Sequence, residues 1–515
     1  MSDSHTDKNI GKHAFVAILL VVMVMAVADK FLFSVWPFWG LEYEDSYIYA
    51  ATGRFMLYEY PWTVDLYKTK FASIGSLVHV QESLSYATHA EGFSLIIAAF
   101  HKILGYRPYT PLLVSSLAGV ATLLILSIVA WWSKTDQKAR LCLCLICFLA
   151  APLARSFQSS GVSEVLSSLP VLLALIMMVR LASEDNDRMK YRRVSLFLLF
   201  FVAALLVKRE NLALASAPIL LLVTCRSALK QRWFWVFGLA VSGICISYLS
   251  SVDLMGGVNA ESTGIHVSAF SLRHFADNAP RFIECWVRPD MWGITGIITL
   301  AAAATSWRSY RDPRVLFPVA LLIIYIGLYT VHFRSQYQVA DGRVTAFEMM
   351  RFSVNIFPIA VYLVIGSPVC GLAFSHKTSR YLLIMVAILG AIYSTNVKRH
   401  FSYLEYIERV EPLQYGLDNT GSDGVFVTDV TCLARILCSE NHFIVDSMRL
   451  TNDVLYEALV DGKRHAVLMN RPDDFDEIAR QFSDVGAVFR CRRKFHSYDI
   501  NIYDFKNAEI KKSAF

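Results

Sequence analysis

The sequence lacks the short motifs with which many enzymes bind nucleotides or a catalytic zinc ion. It contains no P-loop, no G-x-G-x-x-G turn and no H-E-x-x-H pair. It also lacks a strong charge of either sign, because 49 basic residues against 43 acidic ones leave a net charge of +6. This balance gives no support for a nucleic-acid partner. Because the sequence has no nucleotide-binding motif, the free energy for any reaction is expected to come from an activated substrate.

Apolar residues are what the sequence has in excess. It is 55% hydrophobic with a mean hydropathy of +0.42, and many of its apolar runs are long enough to cross a bilayer. These features predict a polytopic α-helical membrane protein. The first run, at 14–36, contains the triplet Ala26-Val27-Ala28, which resembles a signal-peptidase site. An uncleaved anchor fits the rest of the sequence better, because apolar chain continues to Trp36.

Charges between the apolar runs predict the orientation of the chain. Basic linkers at 134–140, 180–193, 226–232, 308–314 and 377–380 are expected in the cytoplasm, and the acidic loop 37–90 outside it. This pattern fits about eleven full spans, with 91–104 dipping into the membrane or lying along its surface. The N-terminus is then inside and the C-terminus outside. The chain is expected in a bacterial inner or plasma membrane.

The composition after residue 397 changes to that of a soluble domain. Gly424–Asp429, His442–Asp446 and Ala466–Met469 resemble short buried strands, and 431–437, 451–460 and 472–482 have helical spacing. Tyr498, Ile500 and Ile502 alternate with polar residues, which predicts a final strand buried on one face. We therefore expect a transmembrane catalytic domain over 1–397 and a small α/β extracytoplasmic domain over 398–515.

An acidic stretch follows the first apolar run, at Leu41-Glu42-Tyr43-Glu44-Asp45-Ser46-Tyr47-Ile48-Tyr49. Asp45 and Tyr49 are four residues apart, so a short helix would place them on one face. Carboxylates held against aromatic rings at a membrane surface suit a general base. An interfacial aromatic belt with solvated acids explains the same residues equally well.

Two further charged clusters interrupt apolar sequence. Lys208-Arg209-Glu210-Asn211 lies within about thirty apolar residues, and its charges suit a phosphate at the membrane surface. Glu348 and Arg351 precede the run at 353–370 and are three residues apart, so an intrahelical ion pair accounts for them as well. Arg155, Glu164, His332 and Arg334 are weaker candidates, because loop or interface charges explain them.

These blocks resemble the membrane glycosyltransferases of the GT-C fold, which use polyprenyl- or dolichyl-phosphate sugars. Glu44-Asp45-Ser46-Tyr47 is similar to their acidic first-loop motif. The segments Glu91-Gly92-Phe93, Lys208-Arg209-Glu210 and Glu348–Phe352 are similar to blocks of the arabinosyl- and mannosyltransferase-like branch. The resemblance covers about residues 1–400 and depends on the order and spacing of the blocks.

The resemblance implies a reaction and a set of partners. Asp45 would take the proton from an acceptor hydroxyl, and Glu44 would orient the acceptor or help to hold a divalent cation. Lys208, Arg209 and Arg351 would stabilise the leaving phosphate, and Glu91, Glu210 and Glu348 would complete the substrate site. The donor would be a polyprenyl-phosphate sugar displaced with inversion, and the acceptor a lipid, a polysaccharide or a protein.

Three other functions compete with this one. A transporter or flippase of lipid-linked sugars would also carry membrane acids, although here the acids cluster at span ends. An O-antigen ligase or polymerase would act on similar lipids through large outer loops rich in Arg and His. A non-catalytic membrane subunit would use its α/β domain for docking. Donor-dependent sugar transfer separates the enzyme from all three.

Overall fold

The computed structural model describes most of the helices and the C-terminal sheet. The described residues are 46–47, 49–50, 53, 92–132, 137–149, 151, 161–251, 258–260, 265–267, 272–288, 290–331, 353–369, 377–421, 424–430, 433–434, 437, 443–446, 463–470, 480, 482–484 and 486–505.

Helices dominate the chain before residue 421. They are α1 (Gly92–Leu104), α2 (Thr110–Trp131), α3 (Gln137–Leu149), α4 (Ser163–Ala182), α5 (Asp187–Val207), a 3₁₀ helix (Arg209–Ser216), α6 (Ala217–Thr224), α7 (Arg232–Ser251), α8 (Arg273–Val287), α9 (Ile294–Thr305), α10 (Pro313–Val331), α11 (Phe357–Gly366), α12 (Lys377–Glu405) and α13 (Glu411–Thr420). A short antiparallel pair, β1 (Val258–Ala260) and β2 (Ile265–Val267), precedes α8.

Four of the described helices are long and apolar enough to cross a membrane. They are Thr110–Trp131, Ser163–Ala182, Arg232–Ser250 and Pro313–Val331. Shorter apolar helices of 10–17 residues lie at Gly92–Leu104, Ala139–Leu149, Ile294–Thr305, Val354–Gly366 and Tyr381–Tyr393. The apolar run at 212–225 forms the end of the 3₁₀ helix and the eight-residue helix α6. The number of eleven spans and their orientation stay predictions.

The chain divides into two compact units. The first unit comprises Met1–Val27, His89–Phe93 and Leu113–Lys398, and the second comprises Ala28–Thr88, Ser94–Leu112 and Arg399–Phe515. The predicted domain boundary between residues 397 and 398 remains a prediction.

Helices α4 and α5 form a hairpin in the first unit. The Asn186 side chain begins α5 by accepting hydrogen bonds from the backbone N–H groups of Arg188 and Met189, at 2.9 and 3.4 Å. The two helices pack along each other, so the start of α4 lies beside the end of α5. Edge-to-face contact between the buried rings of Phe197 and Phe237, 5.2 Å apart, packs α5 against α7.

The second unit contains a five-stranded sheet. Its strands are β3 (Gly424–Thr428), β4 (Phe443–Asp446), β5 (His465–Asn470), β6 (Val488–Lys494) and β7 (Asp499–Asp504), in the order β4-β3-β5-β7-β6. Strand β3 pairs in parallel with β4 and β5, with Val427 opposite Leu468. The continuous apolar sequences of β3 and β5 fit this arrangement, because strands of a parallel sheet are covered on both faces.

The sheet confirms three of the strands predicted from apolar runs and corrects the last one. Strand β7 is not one-sided, because Asn501 and Tyr503 are buried as well as Ile500 and Ile502. It pairs with β5 on one side and with β6 on the other, which makes it an inner strand. The sequence analysis missed β6, whose seven residues are all exposed. The predicted helices at 431–437, 451–460 and 472–482 lie largely outside the described residues.

Candidate functional site

A buried ion pair lies at the junction of α4 and α5. The ammonium nitrogen of Lys208 is 2.9 Å from Oε1 of Glu164, and the two side chains are 8% and 1% exposed. A second carboxylate, that of Glu210, lies 3.8 Å from the same nitrogen. Removing charged groups from water costs several kcal/mol per ion, so such a pair contributes little net stability. These two charges are therefore candidates for a role other than stability.

The local backbone explains how Lys208 reaches Glu164. Lys208 ends α5 in an extended conformation, and its N–H still donates to the carbonyl of Ala204 at 2.9 Å. The chain then turns at once into the 3₁₀ helix that begins at Arg209. Glu164 lies in the first turn of α4, where the helix dipole favours a carboxylate. The α4–α5 hairpin brings these two helix ends together.

Asn211 connects this junction to three other parts of the first unit. Its Nδ2 donates to Oγ of Ser167 and to the carbonyl of Ala204, each at 2.7 Å. Its Oδ1 accepts from the Tyr325 hydroxyl at 2.8 Å and from Nδ2 of Asn355 at 3.0 Å. Asn211 is fully buried with all four amide positions used, which fixes the turn that carries Lys208 and Arg209.

The segment that follows Arg351 is held in the same network. Asn355 contacts Asn211, and its Oδ1 also accepts from Ser167 at 2.8 Å. Two residues after Arg351, the Ser353 hydroxyl oxygen accepts a 2.8 Å hydrogen bond from the Trp292 indole. The chain directly after the 348–352 block is therefore fixed beside the 208–211 block.

Gly92 brings a third block of the sequence to the same place. A Cβ atom built on Gly92 would lie 2.5 Å from the Leu206 carbonyl oxygen and 3.1 Å from the backbone nitrogen of Val207. Only glycine allows this close approach to the end of α5. The residue after Glu91 thus packs directly against the backbone that leads into Lys208.

Arg209 has a donor that is left open. Its Nε is buried, and within the described part of the chain it has no hydrogen-bond partner. Buried donors are nearly always paired, so this one is suited to an acceptor that binds at the site. A phosphate oxygen is such an acceptor, since arginine presents a planar fork of donors to phosphate.

The described residues contain only part of the predicted site. The structure describes Lys208, Arg209 and Glu210. The other predicted site residues lie outside the described residues, and they are Glu44, Asp45, Glu91, Glu348 and Arg351. Glu164, a weaker candidate from the sequence, is the partner of Lys208. Tyr325 and Asn355, which the sequence did not single out, contact Asn211. Within the described ranges no three His, Cys, Asp or Glu side chains group in a way that would hold a metal ion.

No family model and no curated protein sequence matches the chain. ArnT from Cupriavidus metallidurans bound to undecaprenyl phosphate is similar at a TM-score of 0.57 and 13% identity, over 95% of this chain and 97% of that one. Its apo structure gives a TM-score of 0.58 at the same identity.

A second similar structure is the archaeal oligosaccharyltransferase AglB from Archaeoglobus fulgidus, in complex with an inhibitory peptide and a dolichol-phosphate. Its TM-score is 0.52 at 10% identity, over 98% of this chain and 75% of that one. The chain has the GT-C fold. Identities this low establish the fold and not the activity, although the GT-C fold is the one that the sequence blocks predicted.

Proposed function

We propose that this chain is a membrane glycosyltransferase that transfers a sugar from a polyprenyl-phosphate donor to an extracytoplasmic acceptor, with inversion. The observation that carries the proposal is the buried Glu164–Lys208 pair beside the open Nε of Arg209. It holds two cationic side chains together, in a fold that was seen with undecaprenyl phosphate in ArnT and with dolichol-phosphate in AglB.

The cations suit the charge that develops on a leaving lipid phosphate. Lys208 has three N–H donors, so its ammonium can keep its contact with Glu164 while another donor points at a phosphate oxygen. Arg209 offers Nε in a place with little water. Preorganised donors of this kind stabilise the transition state because they need no reorganisation when charge moves. Arg351 is proposed as a third donor, and Glu91, Glu210 and Glu348 as groups that orient the sugar.

The acids of the first loop complete the proposed reaction. Asp45 takes the proton from the acceptor hydroxyl, and the hydroxyl oxygen forms a bond to the anomeric carbon. The bond between that carbon and the phosphate oxygen breaks, and its electron pair stays on the lipid phosphate. Glu44 orients the acceptor beside Asp45. Two adjacent carboxylates are also suited to a divalent cation, which would bind acceptor or phosphate oxygens.

One experiment tests the proposal directly. Purified protein is incubated with a panel of radiolabelled polyprenyl-phosphate sugars, and single-turnover transfer is followed for the wild type and for Asp45→Asn. The variant keeps the size of the side chain but removes proton acceptance, so transfer should fall about 10²- to 10⁴-fold. A variant that keeps more than about a tenth of the rate excludes Asp45 as the base. A wild type that transfers no sugar from any donor contradicts the proposed function.

The orientation that we propose places the site and the C-terminus outside the cytoplasm. A reporter that is active only outside the cytoplasm should be on when fused after Phe515 and off when fused near Lys190. The reverse pattern would place the site on the cytoplasmic side and remove the reason to expect a lipid-linked donor.

A further inference from the structure

The helical residues at the end of the acidic stretch are held in the core of the second unit. Ser46, Tyr47, Tyr49 and Ala50 are helical and buried, and Tyr47 is 3% exposed. Tyr47 and Ala50 belong to one hydrophobic cluster whose other buried members come mostly from α13 and the sheet. These members are Leu112, Val410, Leu413, Leu417, Phe426, Leu433, Ala434, Val467, Met469, Tyr498, Ile500 and Ile502.

A polar contact fixes the outer end of the Tyr47 side chain. The Tyr47 hydroxyl donates a hydrogen bond to Oε1 of Glu405, the last residue of α12. The Glu405 side chain is 11% exposed, and Nη1 of Arg409 lies 3.7 Å from the same oxygen. A hydrogen bond to a carboxylate is stronger than one between neutral groups, and it is directional. Tyr47 is therefore fixed in position by packing and in orientation by Glu405.

We propose that Tyr47 and Glu405 are positioning residues that set the place of the acidic stretch for catalysis. This inference rests on the proposed function, since it concerns the base proposed at Asp45. Asp45 precedes Tyr47 by two residues, and two residues of chain span at most about 7 Å. The core of the second unit thus holds the residues next to the base, and the C-terminal sheet supports catalysis rather than only docking.

The same core offers a matched control. The Tyr498 hydroxyl lies 3.2 Å from Oδ2 of Asp429, and Tyr498 is 2% exposed in the same cluster. Tyr498→Phe removes a tyrosine–carboxylate hydrogen bond from this core, as Tyr47→Phe does. Of the two tyrosines, only Tyr47 lies within the acidic stretch. A purely structural role predicts equal effects of the two substitutions on transfer.

The test compares these variants in the full-length protein. Steady-state transfer from the polyprenyl-phosphate sugar that the wild type uses gives kcat and the donor KM, and thermal unfolding gives stability. Tyr47→Phe should lower kcat at least about tenfold, since small misplacements of a catalytic group are costly. The donor KM should change less than about twofold, because other residues hold the phosphate. Tyr498→Phe should shift the unfolding temperature similarly and leave kcat near the wild-type value.

Glu405→Gln is a second variant that keeps the inference testable if Tyr47→Phe does not fold. It retains an acceptor for the Tyr47 hydroxyl but removes the negative charge. It should lower kcat less than Tyr47→Phe does, again at constant donor KM. Equal kcat values for Tyr47→Phe and Tyr498→Phe in an active wild-type background overturn this inference alone. A wild type that transfers no sugar overturns the proposed function, and this inference with it.

Discussion

Two clusters of oppositely charged side chains in the first unit differ in how far they are removed from water. Lys208 and Glu164 form a buried pair at the end of α5. At the end of α8, Arg281, Glu284, Arg288 and Asp290 form a partly exposed network with distances of 2.5–3.0 Å. Their side chains remain 31–41% exposed, so water screens the network and little solvation was given up to form it.

Under the proposed function, the exposed charges at α8 serve structure and the buried charges at α5 serve donor binding. The network at α8 satisfies its own members, since Arg288 joins two acids that lie on either side of it in the sequence. The pair at α5 is adjacent to an arginine nitrogen without a partner in the described residues. Forming the buried pair removes two charges from water, and the neighbouring Nε of Arg209 has no acceptor among the described residues. This arrangement is suited to binding an anionic ligand. Each prediction below tests this contrast.

The largest effect is expected when one member of the buried pair is removed. Lys208→Met leaves the Glu164 carboxylate in a dry site without its nearest cation. The free energy of unfolding should fall by about 3–5 kcal/mol, as for other broken buried pairs. Denaturant unfolding in detergent micelles measures it. A loss below about 1 kcal/mol would mean that Glu164 is hydrated and the pair is not a dry one.

Arg209→Ala should affect donor use more than stability. Its Nε has no partner to lose within the described chain, whereas a hydrogen bond to a charged group is worth about 1.5–3 kcal/mol. The donor kcat/KM should therefore fall about 10- to 150-fold, and Arg209→Lys should restore only part of it, because the fork is absent. Equal activity of the alanine variant and the wild type would show that Arg209 does not bind the donor.

Arg288→Ala is the matched change in the exposed network. It removes contacts to Glu284 and Asp290 that water largely replaces. Sugar transfer should stay at the wild-type rate, and the unfolding free energy should fall by no more than about 1 kcal/mol. Transfer assays and unfolding curves on the same preparation check both values. A loss of transfer comparable to that of Arg209→Ala would erase the distinction between the two groups.

The smallest effect is a pH dependence of the exposed network. A hydrogen bond from Arg281, with one from Arg288, lowers the pKa of Glu284, and a hydrogen bond from Arg288 lowers the pKa of Asp290. A lowered folded-state pKa contributes stability above the unfolded-state pKa, and this contribution disappears as the pH falls through the folded-state value. The stability difference between wild type and Arg288→Ala should therefore shrink as the pH falls from about 6 to 3. If the stability difference grows as the pH falls, the hydrogen bonds from Arg288 do not lower the pKa values of Glu284 and Asp290.

The sequence predicted the features that local patterns encode. The charges at 208–210 stand out because they interrupt an apolar run, and β3 and β5 stand out as continuous apolar segments. The pairing of Glu164 with Lys208 could not be predicted, because the two residues are 44 positions apart and only the hairpin brings them together. Tyr325 and Asn355 look like isolated polar residues in apolar helices until Asn211 joins them.

Strand β6 was missed for a different reason. Its sequence, VFRCRRK, has no apolar alternation, because an edge strand with every residue exposed needs none. Only its pairing with β7 makes it a strand. Strand β7 is buried on both faces, which the alternation of Ile500 and Ile502 with polar residues could not indicate.

The double variant Lys208→Met/Glu164→Gln tests the central claim most directly. Replacing both charges with neutral groups of similar size leaves no fully buried charge alone, and the Glu210 carboxylate that loses its contact with Lys208 is 19% exposed, so the protein should unfold within about 1 kcal/mol of the wild type. Single-turnover transfer from the polyprenyl-phosphate donor should nevertheless fall at least about tenfold, because the phosphate loses its ammonium partner. Wild-type transfer by this stable variant would contradict the account and leave the buried pair as a structural element.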